Sequence, residues 1–361
     1  MSGPPPAPTT VRVAIAGYGL AGEVFHAPLV AATDGLVVAA VTTSDRERAA
    51  RARAAYRGVH VAPDADALLR DVEAIDLLVV ATPNRWHVPV ARAALARGIA
   101  VVMDKPIAAH AADAAALVDD FAAAGVPFTV FQNRRWDGDF QTVRRLVEAG
   151  ELGDVRRFES RFERFRPQVA GERWRESADP ADGGGLLLDL GAHLVDQALT
   201  LFGPARRVYA EVAARRPGAQ ADDDVFVALE HAGGVRSHLW MSAVAPLGGR
   251  SLRASGTVAG IETPGLDPQE DQLAAGMAPG DAGWGAGEPA RWVDAGGART
   301  LPIAAGAYER FYARVRDALR DGAPLPVDPR DSVAALEVIE AARRSAQDGV
   351  VFDTTMQEER S

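Results

Sequence analysis

From Val11 to about Gln132 the chain alternates short apolar runs with helical stretches. The runs are "VRVAIA" (11–16), "LVVAAVT" (36–42), "DLLVVAT" (76–82), "IAVVM" (99–103) and "PFTVFQ" (127–132). Between them lie helix-like segments over 45–56, 87–98 and 111–125. Strands that are apolar throughout must be covered on both faces, and helices between them supply the cover. The pattern therefore predicts a doubly wound parallel sheet of Rossmann type, whose ligands bind beyond the C-terminal ends of the strands.

The first run ends in Gly17-x-Gly19-x-x-Gly22. Such glycines allow a tight turn and let backbone approach a pyrophosphate, and the helix behind them offers free N–H groups and positive dipole. By itself the spacing also fits a plain strand-to-helix turn. The second run ends in "TTSDRERAA", where an Asp or Glu would read the ribose diol of NAD. A hydroxyl at Ser44 and a guanidinium at Arg46 suit the 2′-phosphate of NADP better. The alternative is that Asp45 reads the ribose of NAD and Arg46 is a solvated helix charge.

After about residue 150 the pattern changes. The segments 155–165, 224–231 and 235–244 are long, and "HAGG" between the last two fits a hairpin turn, so an α+β domain on an antiparallel sheet is expected. Residues 264–299 read as a Gly/Pro-rich surface excursion, and helices are expected over 308–322 and 332–349. The division is a tail at 1–10, a dinucleotide-binding domain at 11–132, an α+β domain for substrate and oligomerisation at 133–350, and a tail at 351–361.

Composition excludes several functions. The net charge is −10 with basic residues scattered, which argues against nucleic acid as a partner. The absence of cysteine removes disulfides, thiolate metal sites and thiol catalysis, and no H-E-x-x-H spacing occurs, so no metal is expected. "MSGPPPAPTT" has no charged n-region or apolar h-region, and no apolar run approaches the roughly 20 residues of a membrane span. A cytoplasmic protein without membrane contact is expected.

Three segments carry chemistry. "ATPNRWHVPVA" places Thr82, Pro83, Asn84 and His87 at one strand mouth, and "VVMDKPI" places Asp104 and Lys105 at the next. "DGGGLLLDLGAHLVDQAL" sets Asp189 and His193 four residues apart on one expected helix, so that both project from one face. A lysine and a histidine meeting over a nicotinamide can move the proton of an alcohol while hydride leaves its carbon. Taken singly, each residue also fits an exposed loop lysine or a solvated helix pair.

The glycine spacing, "TPN" with His87, "DKP" and "GGGLLLDLGAHLVD", in this order, resemble the glucose–fructose oxidoreductase, inositol dehydrogenase and rhizopine-catabolism family (Gfo/Idh/MocA) over residues 11 to about 350. "GYGLAGEVFHAPL", "DKP" and "FQNRRWDGDF" together are similar to the branch that contains NADP-dependent scyllo-inositol dehydrogenases and related oxidoreductases. The family's usual Glu-Lys-Pro is here Asp104-Lys105-Pro106, which keeps the charge one methylene shorter. The resemblance implies hydride transfer between NADP, or NAD, and a hydroxyl or carbonyl of an inositol, polyol or sugar. It implies that Lys105 contacts the reacting hydroxyl, that His193 gives or takes its proton, and that Asp189 orients the substrate or His193. Gly17, Gly19, Leu20, Ala21 and Gly22, with Ser44, Arg46, Thr82, Pro83, Asn84, His87, Asp104 and Lys105, would hold the cofactor. Gln132, Arg135, Trp174 and His193 would hold substrate, and Phe25 and His26 would border the pocket. An open sheet in the second domain implies a homodimer or homotetramer. A dinucleotide-sensing regulator and an NAD-dependent glycosidase are the competing readings on the same fold.

Overall fold

The structure is a computed structural model and describes residues 10–72, 74–169, 176–177, 179 and 182–354. Its first six strands are β1 (Val11–Ala16), β2 (Leu36–Thr42), β3 (His60–Ala62), β4 (Leu77–Val80), β5 (Ala100–Met103) and β6 (Phe128–Val130). They form a parallel sheet in the order β3-β2-β1-β4-β5-β6, which reverses direction between β1 and β4. β4 and β5 are buried at every residue, as a sheet covered on both faces requires. β3 was not foreseen. It is three residues long at the sheet's edge, too short to leave an apolar run.

The loop after β1 does what its glycines allow. Gly17 has φ +100°, and a Cβ there would run into the carbonyl oxygen of Ala81 at the end of β4. A Cβ on Gly22 would collide with the Gly17 carbonyl. The expected helix begins as a wide π-type turn over Ala21–His26 before becoming α-helical at Ala27–Ala31.

The remaining strands are β7 (Val155–Glu163), β8 (Ala205–Ala213), β9 (Asp224–His231), β10 (Arg236–Ser242), β11 (Arg250–Gly256), β12 (Ala259–Pro264), β13 (Ala290–Asp294), β14 (Gly297–Leu301) and β15 (Phe352–Asp353). They make a nine-stranded sheet in the order β14-β13-β12-β11-β7-β10-β9-β8-β15, antiparallel except between β7 and β10. β9 and β10 form the expected hairpin, closed by His231 N–H donating to Val235 at 2.9 Å. On β9, Val225, Val227 and Leu229 are buried while Phe226, Ala228 and Glu230 between them stay partly open. One face therefore packs under the helices Gly191–Phe202 and Pro329–Asp348, and the other is open.

Two segments differ from the sequence reading. Residues 264–299 are no loose excursion: Leu273 and Gln269 of the helix Gln269–Ala274 are buried, and β13 and β14 extend the sheet. Buried side-chain bonds hold this segment, with Asp267 accepting from Gly138 N–H at 2.7 Å and Gln269 from Tyr308 N–H at 2.7 Å. No apolar periodicity records such bonds. The segment expected as a C-terminal tail also holds a strand, since Phe352 and Asp353 of β15 pair with Val208 and Arg207 of β8. The helix Glu309–Asp321 returns to the first sheet, where Tyr308, Phe311, Tyr312 and Val315 join a core with Val13, Ile15 and Val79.

Candidate active site

The glycine loop presents an open side. A Cβ on Gly19 would meet nothing within 4 Å, which leaves the backbone approachable. Gly17 N–H donates to Thr42 Oγ1 at 2.7 Å, and Tyr18 N–H to the Thr42 carbonyl at 2.8 Å, tying the loop to the end of β2. Just beyond, Ser44 and Arg46 are exposed. Asp45 caps the helix Arg46–Ala55, accepting from Arg48 N–H at 3.0 Å and Glu47 N–H at 2.8 Å. Those bonds hold its carboxyl below the usual aspartate range. Thr82 Oγ1, at the mouth of β4, is buried without a hydrogen-bond partner among the described residues. The open glycine and the orphan hydroxyl both fit a dinucleotide lying along this edge.

At the end of β5, Lys105 precedes Pro106 across a cis peptide bond. Its Nζ donates to a carboxylate oxygen of Asp189 and to the Asp189 main-chain carbonyl, each at 2.8 Å. This revises the expected single helix over Asp189 and His193. A short helix, Leu186–Asp189, stops at Leu190, and a second, Gly191–Phe202, carries His193. Because the turn breaks there, His193 N–H bonds to Leu190 and the Asp189 carbonyl is left for the lysine. The Asp189 carboxylate is thus set against Lys105. Beneath them Asp104 accepts the Lys105 N–H at 2.8 Å and lies 3.8 Å from His26 Nε2. Burial opposes ionisation of Asp104, but the His26 contact and the Lys105 charge outweigh it and lower its carboxyl below the usual range.

Lys105, Asp189 and His193 line one cavity of about 380 Å³, together with Leu20, Ala21, Phe25 and His26 from the glycine loop and its helix. That size lies in the range of small-molecule sites. Asp104 lines it as well, whereas His87, Asn84, Pro83, Gln132 and Arg135 fall elsewhere. His87 is a buried strut, with Nδ1 2.8 Å from the Pro106 carbonyl and Nε2 2.8 Å from that of Thr82. Burial pushes its imidazole below the usual histidine range. Asn84 is buried and donates to the Asp182 carbonyl at 2.9 Å, while Pro83 is exposed beside it. Gln132 is buried and donates to Ser332 at 3.2 Å. Arg135 forks onto Asp196 at 2.8 and 2.5 Å and reaches Asp331 at 3.0 Å, so its donors are turned away from the cavity. Its sequence position after β6 could not show this, because Asp196 lies 61 residues on. Trp174 lies outside the described residues.

The opposite wall comes from the second sheet and was not foreseen. Phe162, Arg164 and Arg166 follow one another at every second residue at the end of β7, and the alternation in "RFERFR" is the signal that could have shown them. Arg216, Glu176, Asp222 and Glu270 also line the cavity, and Arg134 joins them from the turn Asn133–Trp136 after β6. Among the described residues no group of acidic and histidine side chains is placed to hold a metal ion, and no helix is long and apolar enough to cross a membrane.

Residues 11–132 match the model of the oxidoreductase family NAD-binding Rossmann fold, and residues 144–354 that of the same family's C-terminal alpha/beta domain (GFO_IDH_MocA). The scyllo-inositol 2-dehydrogenase (NADP(+)) IolW of Bacillus subtilis is 34% identical over 94% of both chains. The uncharacterized oxidoreductase YdgJ of Escherichia coli is 38% identical over 93% of this chain and 96% of its own. The solved structure of the Bacillus subtilis protein yvaA superposes with a TM-score of 0.88 at 32% identity, covering 95% of this chain and 98% of that one. With both domains matched and the lysine, aspartate and histidine set in one cavity beside the glycine loop, the chain belongs to the Gfo/Idh/MocA oxidoreductase family and is an NAD(P)-dependent dehydrogenase or reductase acting on CH–OH groups.

Proposed function

We propose that the protein transfers hydride between NADP and a hydroxyl or carbonyl carbon of an inositol, polyol or sugar. The observation that carries this reading is the convergence of Lys105, Asp189 and His193 on the cavity that the glycine loop also enters. The nicotinamide, when bound, supplies or accepts the hydride. Everything else falls to the chain. Asp189 holds Lys105 Nζ by two of the three donors an ammonium offers, which leaves one for the reacting oxygen. That contact stabilises the charge growing on the oxygen as its proton leaves. His193, on the adjoining helix turn, takes up the proton in oxidation and returns it in reduction.

The choice of NADP rests on the helix after β2. Asp45, the residue that would read a ribose diol, already serves as the helix cap, while Ser44 and Arg46 are exposed and free to meet a 2′-phosphate. The name of the relative IolW, which specifies NADP, supports the same choice. The open face of the second sheet, where Arg161 stacks 3.7 Å over Trp240 beside Phe226, supports a homodimer or homotetramer.

The test follows reduced nicotinamide by absorbance with NADP⁺ or NAD⁺ and a panel of inositols, polyols and aldoses. Turnover favouring NADP⁺ is expected, and Arg46→Ala should cut that preference about ten- to a hundredfold, the size of one charge-assisted bond. Turnover confined to NAD⁺ would assign the ribose to Asp45 instead.

A further inference from the structure

The cavity's wall carries five cations and five carboxylates, but not every cation is paired among the described residues. Of the cations on its wall, Lys105 is paired with Asp189. Arg134 is paired with Asp137 and Glu270, and Arg216 with Asp223 and Glu176. The carboxylates are likewise engaged: Asp104 holds the Lys105 N–H, and Asp222 accepts from Leu187 N–H at 2.7 Å. Two cations remain. Among the described residues neither Arg164 nor Arg166 has a carboxylate within ion-pair distance or a side-chain hydrogen bond.

Arg164 is built into place. Its N–H donates to the Ser242 carbonyl at 2.8 Å, and its own carbonyl accepts from Ala245 N–H at 3.1 Å. Its guanidinium lies 4.5 Å from the ring centroid of buried Phe162, which Arg134 also approaches at 5.1 Å. A cation over a ring face is held there without using its N–H groups, which leaves the guanidinium donors for an oxyanion. Burial, with Arg166 and Arg134 nearby, pushes the Arg164 guanidinium below its ordinary value against the opposing pull of Glu270 and Asp189, a cost that a bound anion would offset. Arg166 stands two residues on, exposed at the rim, its N–H fixed to the Ala243 carbonyl at 2.7 Å.

We propose that Arg164, with Arg166 at the rim, binds an oxyanion carried by the substrate, so that the sugar or polyol this cavity takes is an acid or a phosphate ester. This rests on the oxidoreductase reading above. The oxyanion could instead be the cofactor's pyrophosphate, since Leu20 and Ala21 line the same cavity, and the experiment separates the two.

Equilibrium binding of D-glucuronate, D-glucose 6-phosphate and D-glucose is measured by calorimetry on the full chain saturated with NADP⁺. At least one of the two anions should bind about ten- to a hundredfold more tightly than glucose, the size of one or two charge-assisted hydrogen bonds. Which of them does so tells a carboxylate site from a phosphate site. Arg164→Gln should bring the anion's affinity down to that of glucose, Arg164→Lys should keep part of the preference, and NADP⁺ affinity should not move. Should Arg164→Gln fail to fold, Arg164→Lys and Arg166→Gln still report on the site. Equal or undetectable binding of all three probes by the wild type would overturn the proposal. So would a preference that survives Arg164→Gln, and a loss of NADP⁺ affinity would assign the anion to the cofactor. Nicotinamide reduction is followed on the same samples: selective anion binding without hydride transfer on any substrate would sink the dehydrogenase reading and leave the anion site standing.

Discussion

Two cations from the C-terminal edge of the parallel sheet reach two successive helices, where Lys105 meets Asp189 and Arg135 meets Asp196. In sequence the two pairs look alike. In space they differ in how many donors are used. Arg135 forks onto both oxygens of Asp196 and spends a further N–H on Asp331, which closes it on three sides. Lys105 touches one carboxylate oxygen and one carbonyl, and lines the cavity. The first pair is a clamp between the helices, and the second is a clamp with a hand left over. An ion pair at a domain junction is therefore read by whether a donor is left facing the cavity rather than by its charges.

The largest expected break in that contrast is at Lys105. Lys105→Ala should lower kcat about 10²- to 10⁴-fold while NADP⁺ binding stays near wild type, as steady-state rates and a cofactor titration would show. Equal losses of both would mean that the lysine holds the cofactor and does not serve the reacting oxygen. Arg135→Met should reverse the pattern. It leaves Asp196 buried without its partner, at a cost of about 3–5 kcal/mol in folding free energy. Denaturant unfolding reads that loss, and the rate per folded molecule should change far less than with Lys105→Ala. A rate collapse in a fully stable Arg135→Met protein would return Arg135 to the substrate.

The smallest effect sharpens the lysine side. Asp104, beneath Lys105, has its carboxyl lowered below the ordinary range, despite burial, chiefly by His26. Such a group adds stability that is fully present above the unfolded aspartate pKa of about 3.9 and is lost as pH falls through the lower folded value. The melting temperatures of wild type and Asp104→Asn should therefore differ by a steady amount from about pH 7 to 5 and converge below about pH 4. A gap that widens toward acid would mean that the carboxyl is protonated when folded.

Much of the first half was legible because local rules govern it. A parallel sheet demands unbroken apolar strands, and a tight turn with φ +100° at Gly17 selects glycine, so both leave marks at fixed spacing. The strand-mouth position of Lys105 was readable for the same reason, since ligands gather beyond strand ends. Asp189 and His193 were set beside it by the family resemblance, and their expected single helix proved to be two. β3 escaped because three edge residues carry no periodic signal.

What the sequence by itself determined is therefore the parallel sheet, the glycine loop and the residue types able to move a proton beside a nicotinamide. Only the tertiary structure decided which cation pairs with which carboxylate. Asp189 lies 84 residues from Lys105, and Asp196 lies 61 from Arg135. Which of them shares a cavity depends on the break at Leu190 and on how the second sheet docks. The folding of 264–299 against the core, which brings Glu270 to Arg134, was decided in the same way. Hydrophobic periodicity records which face of an element is buried, but not what it is buried against.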